Sequence, residues 1–223
     1  MKWSDTMNTV SMIQLKNREE WLQNRTRIGG SDAAAILGMN PYKDNVTLWR
    51  EKTGGSVAED ISEKSYVKYG TEAERPLREL FALDFPQYKV GYVENNMFLN
   101  SKYQFAHASL DGWLIDADGR KGVLEIKTTN ILQSVQKEKW RGKIPDNYYI
   151  QLLHNLFVTE FEFAILKAQL KYNYNGDISL HTKHYFIERA EVEEDIEYLM
   201  KQEEKFWSSV AEGKEPSLIL PQL

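Results

Sequence analysis

FAHASLDGWLIDADGRKGVLEIKTT, residues 105–129, is the stretch whose reading decides the fold. Aromatic and β-branched residues crowd its two halves, 105–116 and 121–128, and Asp118-Gly119 supplies a turn between them, so the segment predicts a β-hairpin. Side chains alternate faces along a strand, which sends Glu125 and Lys127 the same way. A three-residue loop Ala117-Asp118-Gly119, with Gly119 in the left-handed conformation, puts Asp111 directly opposite Glu125. A two-residue loop at Asp118-Gly119 puts Asp111 on the other face, so pairing the carboxylates requires the longer loop or a bulge of the same effect.

Two carboxylates on one face repel each other unless a cation holds them, which points to a divalent metal on Asp111 and Glu125. The chain has no cysteine, so thiolate zinc sites, disulfides and iron–sulfur clusters are excluded, and oxygen ligands favour magnesium, with manganese as the alternative. Lys127 fits the same chemistry, because a lysine beside such a site can orient an attacking water and help take its proton. The competing reading of Glu125 and Lys127 is an exposed ion pair on a solvated strand. Their companions decide against it. Glu74 precedes Leu77 and Phe81 beside the apolar stripe of a helix, where an unpaired carboxylate is costly and calls for Lys127 or a metal as compensation. Tyr148, Gln151 and Asn155 share one helical face, which lets Gln151 reach a phosphate or a water; alone, such a face is ordinarily a solvated surface.

Outward from the hairpin, helices are predicted over 15–24, in SDAAAILG with Ser31 or Asp32 as N-cap and Gly38 as its stop, in NVTLWREKTG, over 71–83 with Ala73, Leu77, Leu80 and Phe81 buried, over 148–158, and over 190–212. The further strands are VGYVENNMFL, FEFAILKAQL and HTKHYFIER, the last two joined by the turn NYNGD. The expected architecture is α/β, a small mixed sheet flanked by helices, with residues 1–223 forming one domain. His181 and His184 are three apart in a strand and face opposite ways, so they do not form a joint metal site. His107 is close enough in sequence to Asp111 to line a cleft, although packing is its simpler role.

Lysine and arginine number 28 against 33 acidic residues, a net charge of −5, which argues against nonspecific nucleic-acid binding by charge alone. The distribution is more telling. QKEKWRGKIP places Lys137, Lys139, Arg141 and Lys143 around Trp140, a basic loop able to grip a phosphate backbone or merely to be solvated. No apolar run is long enough to span a membrane and the N-terminus has no signal-peptide core, so a cytoplasmic location is expected.

In order along the chain, the segments RTRIGGSDAAAILGMNPY, YGTEAERPL, ASLDGWL, LEIKTT and YYIQLLHNL, spanning about residues 25–158, resemble the YqaJ-type viral recombinase family, the phage lambda exonuclease branch of the PD-(D/E)XK nuclease fold. The resemblance implies Asp111, Glu125 and the Ile126 carbonyl as metal ligands, Lys127 as the catalytic lysine, Glu74 as the helix glutamate near it, and Gln151 and Tyr148 as the motif after the core strands. It also implies that Ser31, with Arg25 or its competitor Arg27, holds a 5′-phosphate. A phosphate there would meet unpaired N–H groups after Gly29 and Gly30; the competing reading is an ordinary helix cap with glycines that permit a tight turn. The implied activity is a processive 5′-to-3′ double-strand DNA exonuclease of a phage or prophage recombination system. With it come a single-strand annealing protein as partner and a ring-shaped homotrimer. The rival readings are an endonuclease or single-strand-specific nuclease on the same fold, and a catalytically idle DNA-binding or assembly module.

Overall fold

Strands β5 (Gly112–Ile115) and β6 (Lys121–Ile131) form the expected hairpin in this computed structural model, which describes residues 9–220. Their register pairs Gly112 with Leu124 and Ile115 with Lys121. Asp116 N–H donates to the Arg120 carbonyl at 3.1 Å, which closes a loop of Ala117, Asp118 and Gly119, and Gly119 has a φ of 84°. The Asp116 carboxylate accepts from the N–H groups of Asp118 and Arg120 at 3.0 and 2.9 Å and stiffens the loop from inside. Continued by one residue, the register sets Asp111 across from Glu125.

The hairpin is the centre of a five-stranded mixed sheet. Its order is β2 (Lys89–Gly91), β5, β6, β7 (Phe163–Tyr174), β8 (Asp177–Glu188). β6 and β7 run parallel, joined through α5 (Ser134–Lys139) and α6 (Asp146–Thr159), while β7 and β8 form a hairpin turning at Asn175 and Gly176, both at positive φ. Strand alternation splits the core between two faces. Val123, Ala164, Leu166 and Ala168 pack with Leu152, Leu153 and Leu156 of α6. Leu124, Ile126, Phe163 and Ile165 pack with Leu77 and Phe81 of α4 (Ser65–Asp84). Leu80, expected to be buried on α4, is 48% exposed because it lies to one side of the Leu77–Phe81 line.

A second, three-stranded antiparallel sheet was not anticipated: β1 (Val10–Gln14), β3 (Asn96–Asn100), β4 (His107–Ala108). Two segments predicted as continuous strands each divide between the sheets, 90–99 into β2 and β3 and 105–116 into β4 and β5. The buried Asn96 explains how both corners are tolerated. Its amide accepts from the Leu110 N–H at 2.9 Å and donates to the carbonyls of Leu110 and Val93, both at 2.9 Å, replacing the ladder bonds that the chain gives up on changing sheets.

Helices α1 (Arg18–Asn24), α2 (Gly30–Ile36), α3 (Asn45–Lys52) and α7 (Glu193–Ala211) complete the fold. The N-cap of α2 is Gly29, two positions before Ser31 and three before Asp32, the two expected caps, and Gly38 follows its end at a φ of 70°. Residues 217–219 of the apolar tail lie on α3, where the Asn45 amide donates to the Ser217 carbonyl at 2.9 Å and accepts from the Ile219 N–H at 2.8 Å. Truncation of Asn96 to alanine would orphan buried backbone groups at both corners. We expect Asn96→Ala to lower unfolding free energy by about 1–3 kcal/mol in urea titrations; an unchanged midpoint would show that the corners do not rely on this amide.

Candidate active site

Glu125 is the most deeply placed charge of the hairpin, 1% exposed on β6. Three donors converge on it: Lys127 Nζ at 2.5 Å and Gln151 Nε2 at 2.7 Å on Oε1, and Asn155 Nδ2 at 3.1 Å on Oε2. Gln151 and Asn155 are one turn apart on α6, so a single helix face supplies both amides. Asp111 is the other acid. β5 begins at Gly112, and the Asp111 carboxylate takes the ladder position before it, its Oδ2 accepting from the Ile126 N–H at 2.8 Å. The carbonyl of Ile126 points to the same edge as its N–H, towards the space before the start of β5.

Burial raises the pKa of Glu125 to about 7, opposed by the charge of Lys127 and reinforced by Asp111. Glu74, half-buried on α4, is also raised to about 7, by burial and then by the charge of Asp111. Asp111 shifts upward for the same first reason, against Lys127 and the Ile126 hydrogen bond. Lys127 moves the other way from a simple buried amine: burial lowers its pKa, but the charges of Glu125 and Asp111 and the Glu125 hydrogen bond raise it more. It is therefore an ammonium in this state. In this arrangement the ammonium donates to Glu125 Oε1.

Asp111, Glu125, Ile126, Lys127, Glu74, Gln151 and Asn155 line one cleft of about 550 Å³. Its far wall carries Arg25, Ser31 and Gly29, with Arg25 Nη2 donating to Ser31 Oγ at 3.1 Å and the Arg25 guanidinium 4.6 Å from the Trp21 ring. Arg27, the competing arginine, is turned away and donates to the Gln104 carbonyl at 2.8 Å. Tyr148 stands outside the cleft wall, its ring centre 5.4 Å from Lys127 Nζ. Lys137, Lys139, Arg141 and Lys143 are exposed but do not line the cleft, and the first two lie on helix α5 rather than in a loop. Trp140 is 2% exposed and packs beside Tyr148 and Tyr185, which removes it as a stacking surface for bases.

The donor set suits a hard divalent cation. Two carboxylates raised in pKa by burial, Glu125 also by the charge of Asp111, stand with the Ile126 carbonyl at one strand edge and are oxygen ligands of the kind a hard cation takes. Among the described residues no three Asp, Glu or His side chains are spaced to hold an ion, so such a site depends on the backbone oxygen as well.

Several site residues escaped the sequence reading. Asn155 shared the face of Gln151 without a role. Arg78 donates to the Asp111 carbonyl at 2.6 Å and lies 3.5 Å over the Tyr92 ring, steadying the turn before β5. Behind the cleft, His154 and Glu203 are fully buried and joined at 2.7 Å, and His154 Nε2 donates to the His107 carbonyl at 2.9 Å. Glu203 shares the α7 face of Ile196, Leu199 and Phe206, a spacing that was available to find it. His107 does line the cleft, 2% exposed and held neutral by burial, which lowers its pKa to about 3.

Against known proteins, a model of the YqaJ-like viral recombinase domain matches residues 20–162. The chain is 32% identical over 206 residues to the uncharacterized protein YqaJ of Bacillus subtilis, covering 91% of this chain but only 59% of that relative's length. The fold is similar to that of the alkaline exonuclease LHK-Exo of Laribacter hongkongensis, with a TM-score of 0.62 at 17% identity over 87% of this chain and 93% of that one. The LHK-Exo complex with dAMP gives 0.64 at 16% identity, again over 87% and 93%. A phage related exonuclease from Haemophilus somnus gives 0.52 at 13%, over 84% of this chain and 96% of that one. These likenesses bear out the PD-(D/E)XK core, with its sheets flanked by helices. With the family model matching 20–162, the chain belongs to the YqaJ-like viral recombinase domain family.

Proposed function

We propose that the chain is a divalent-metal-dependent DNA nuclease that degrades linear duplexes from the 5′ end and leaves a 3′ single strand. The observation that carries this reading is the meeting of two elements in one cleft: the Asp111, Glu125 and Lys127 cluster, and the Arg25–Ser31 pair opposite it. The solved structures of similar fold named as exonucleases, one of them holding dAMP, support the same class of chemistry. The annealing partner and the ring-shaped homotrimer belong to this reading through the family resemblance. No helix among the described residues is long and apolar enough to cross a membrane.

Asp111, Glu125 and the Ile126 carbonyl would hold a magnesium or manganese ion, which would supply Lewis acidity and neutralise phosphoryl charge. Lys127 orients the attacking water and adds positive charge where the phosphate becomes more negative. Gln151 and Asn155 fix the Glu125 carboxylate, and Gln151 is placed to contact the scissile phosphate. Arg25 and Ser31 donate to the terminal 5′-phosphate, which anchors the strand while the next bond is cut. Tyr148 packs over Lys127 and restricts its ammonium, a supporting position. The basic residues 137–143 act at longer range on the duplex backbone.

Two measurements test this. Lys127→Ala is expected to lower kcat about 10²-fold or more with DNA affinity retained, and Glu125→Ala to abolish cleavage; equal loss of binding and turnover in Lys127→Ala would make the lysine a phosphate contact instead. On linear duplexes in magnesium, the wild type should prefer a 5′-phosphate to a 5′-hydroxyl, and Arg25→Ala and Ser31→Ala should each shrink that preference. Cutting of circular or single-stranded DNA with no end preference would favour the endonuclease or single-strand reading.

A further inference from the structure

The cleft wall that carries Arg25 and Ser31 is held from behind by one cation. Lys52, in the last turn of α3, donates to the Arg27 carbonyl at 2.7 Å, reaches the Arg25 carbonyl at 3.5 Å, and pairs with Asp32 at 2.8 Å. An ammonium has three N–H donors, and these three partners account for all of them. Asp32 completes the closure by accepting from the Gly29 N–H at 3.1 Å. Burial pushes the Asp32 carboxyl upward, but Lys52, with the charge of Arg25 and the Gly29 hydrogen bond, outweighs it and holds the acid below its usual range. The side chains are 10% and 12% exposed, which shields the pair from solvent screening.

We propose that Lys52 and Asp32 are positioning residues that set the geometry of the Arg25–Ser31 phosphate site. The inference rests on the nuclease reading above. Lys52 has no donor to spare for a ligand, so it acts through the backbone from Arg25 to Gly29. Among the described residues, that backbone ends α1 at Arg25 and is tied at its middle by Ile28, bonded to His107 of β4 and to the Phe105 carbonyl, with the Arg27 side chain reaching the Gln104 carbonyl. Releasing the clamp frees both ends of the Arg25–Ser31 pair while Asp111, Glu125 and Lys127 keep their own supports on β5, β6 and α6. End recognition and bond cleavage thus have separate scaffolds.

Lys52→Met alone would leave Asp32 as an unpaired buried charge, so the informative variant is Lys52→Met with Asp32→Asn, which removes both charges and keeps an acceptor for Gly29. Folding is checked by thermal melting, with Leu199→Ala as a variant destabilised away from the cleft. Steady-state rates are measured in magnesium on short duplexes with 5′-phosphate or 5′-hydroxyl ends. Their affinities are measured by fluorescence anisotropy in EDTA. The double variant is expected to raise KM for the phosphorylated duplex about 10-fold, with kcat and the 5′-hydroxyl kinetics within about two-fold, and to lose the phosphate-dependent part of binding. Leu199→Ala should keep the wild-type preference. A folded double variant with that preference intact, or one losing rate equally on both substrates, overturns the proposal; absence of cleavage by the wild type overturns the nuclease reading beneath it.

Discussion

Burying an ionised carboxylate without compensation costs several kcal/mol, and the arrangement of this protein's cleft follows from how Glu125 avoids that cost. The acid is nearly inaccessible, yet one ammonium and two amides meet its oxygens. Each donor comes with a structural demand. Lys127 must lie two residues on along β6, Gln151 and Asn155 must lie one turn apart on α6, and the β6–α6–β7 crossover must lay that helix over the strand. Asp111 adds a second acid across the hairpin, and burial shifts Asp111, Glu125 and Glu74 upward, the charge of Asp111 adding to the shift of the other two against the opposing charge of Lys127. A cluster in that condition is poised for a cation, which links the packing of the sheet to the proposed chemistry.

The opposite wall obeys a different constraint. The segment from Arg25 to Ser31 is short and largely made of backbone that a regular ladder does not satisfy, although Ile28, Gly29 and Gly30 are buried. Lys52 and Asp32 supply polar partners from beneath, as Asn96 does at the corners between the two sheets. In each case a buried polar side chain replaces secondary-structure hydrogen bonds at a place where the chain must bend to present a functional group.

The hairpin was legible in the sequence because turn chemistry and face alternation are local. Asp118-Gly119 and the parity of Asp111, Glu125 and Lys127 suffice to converge the three groups, and the loop has the length that this convergence required. Gln151 and Glu74 were legible from helical spacing. The choice between Arg25 and Arg27 was not, since both are cations in an irregular segment and tertiary contacts with Ser31 and Gln104 separate them. The division of 90–99 and 105–116 between two sheets was hidden for a related reason: apolar alternation continues through both corners, and the signal lies in one asparagine whose partners are distant in sequence. Lys52 resembled an ordinary basic residue in the last turn of a helix. Trp140 looked available among lysines and arginines, but its burial against Tyr148 and Tyr185 depends on the position of β8.

The central claim is that Asp111 and Glu125 form a single divalent-cation site at the edge where β5 begins. The most direct measurement is a crystal structure of the protein soaked in manganese, with the ion located by its anomalous scattering and Glu125→Gln as comparison. One peak within bonding distance of Asp111, Glu125 and the Ile126 carbonyl, absent in the variant, is the expected result. Manganese bound elsewhere, or unaffected by loss of the Glu125 charge, would contradict the account.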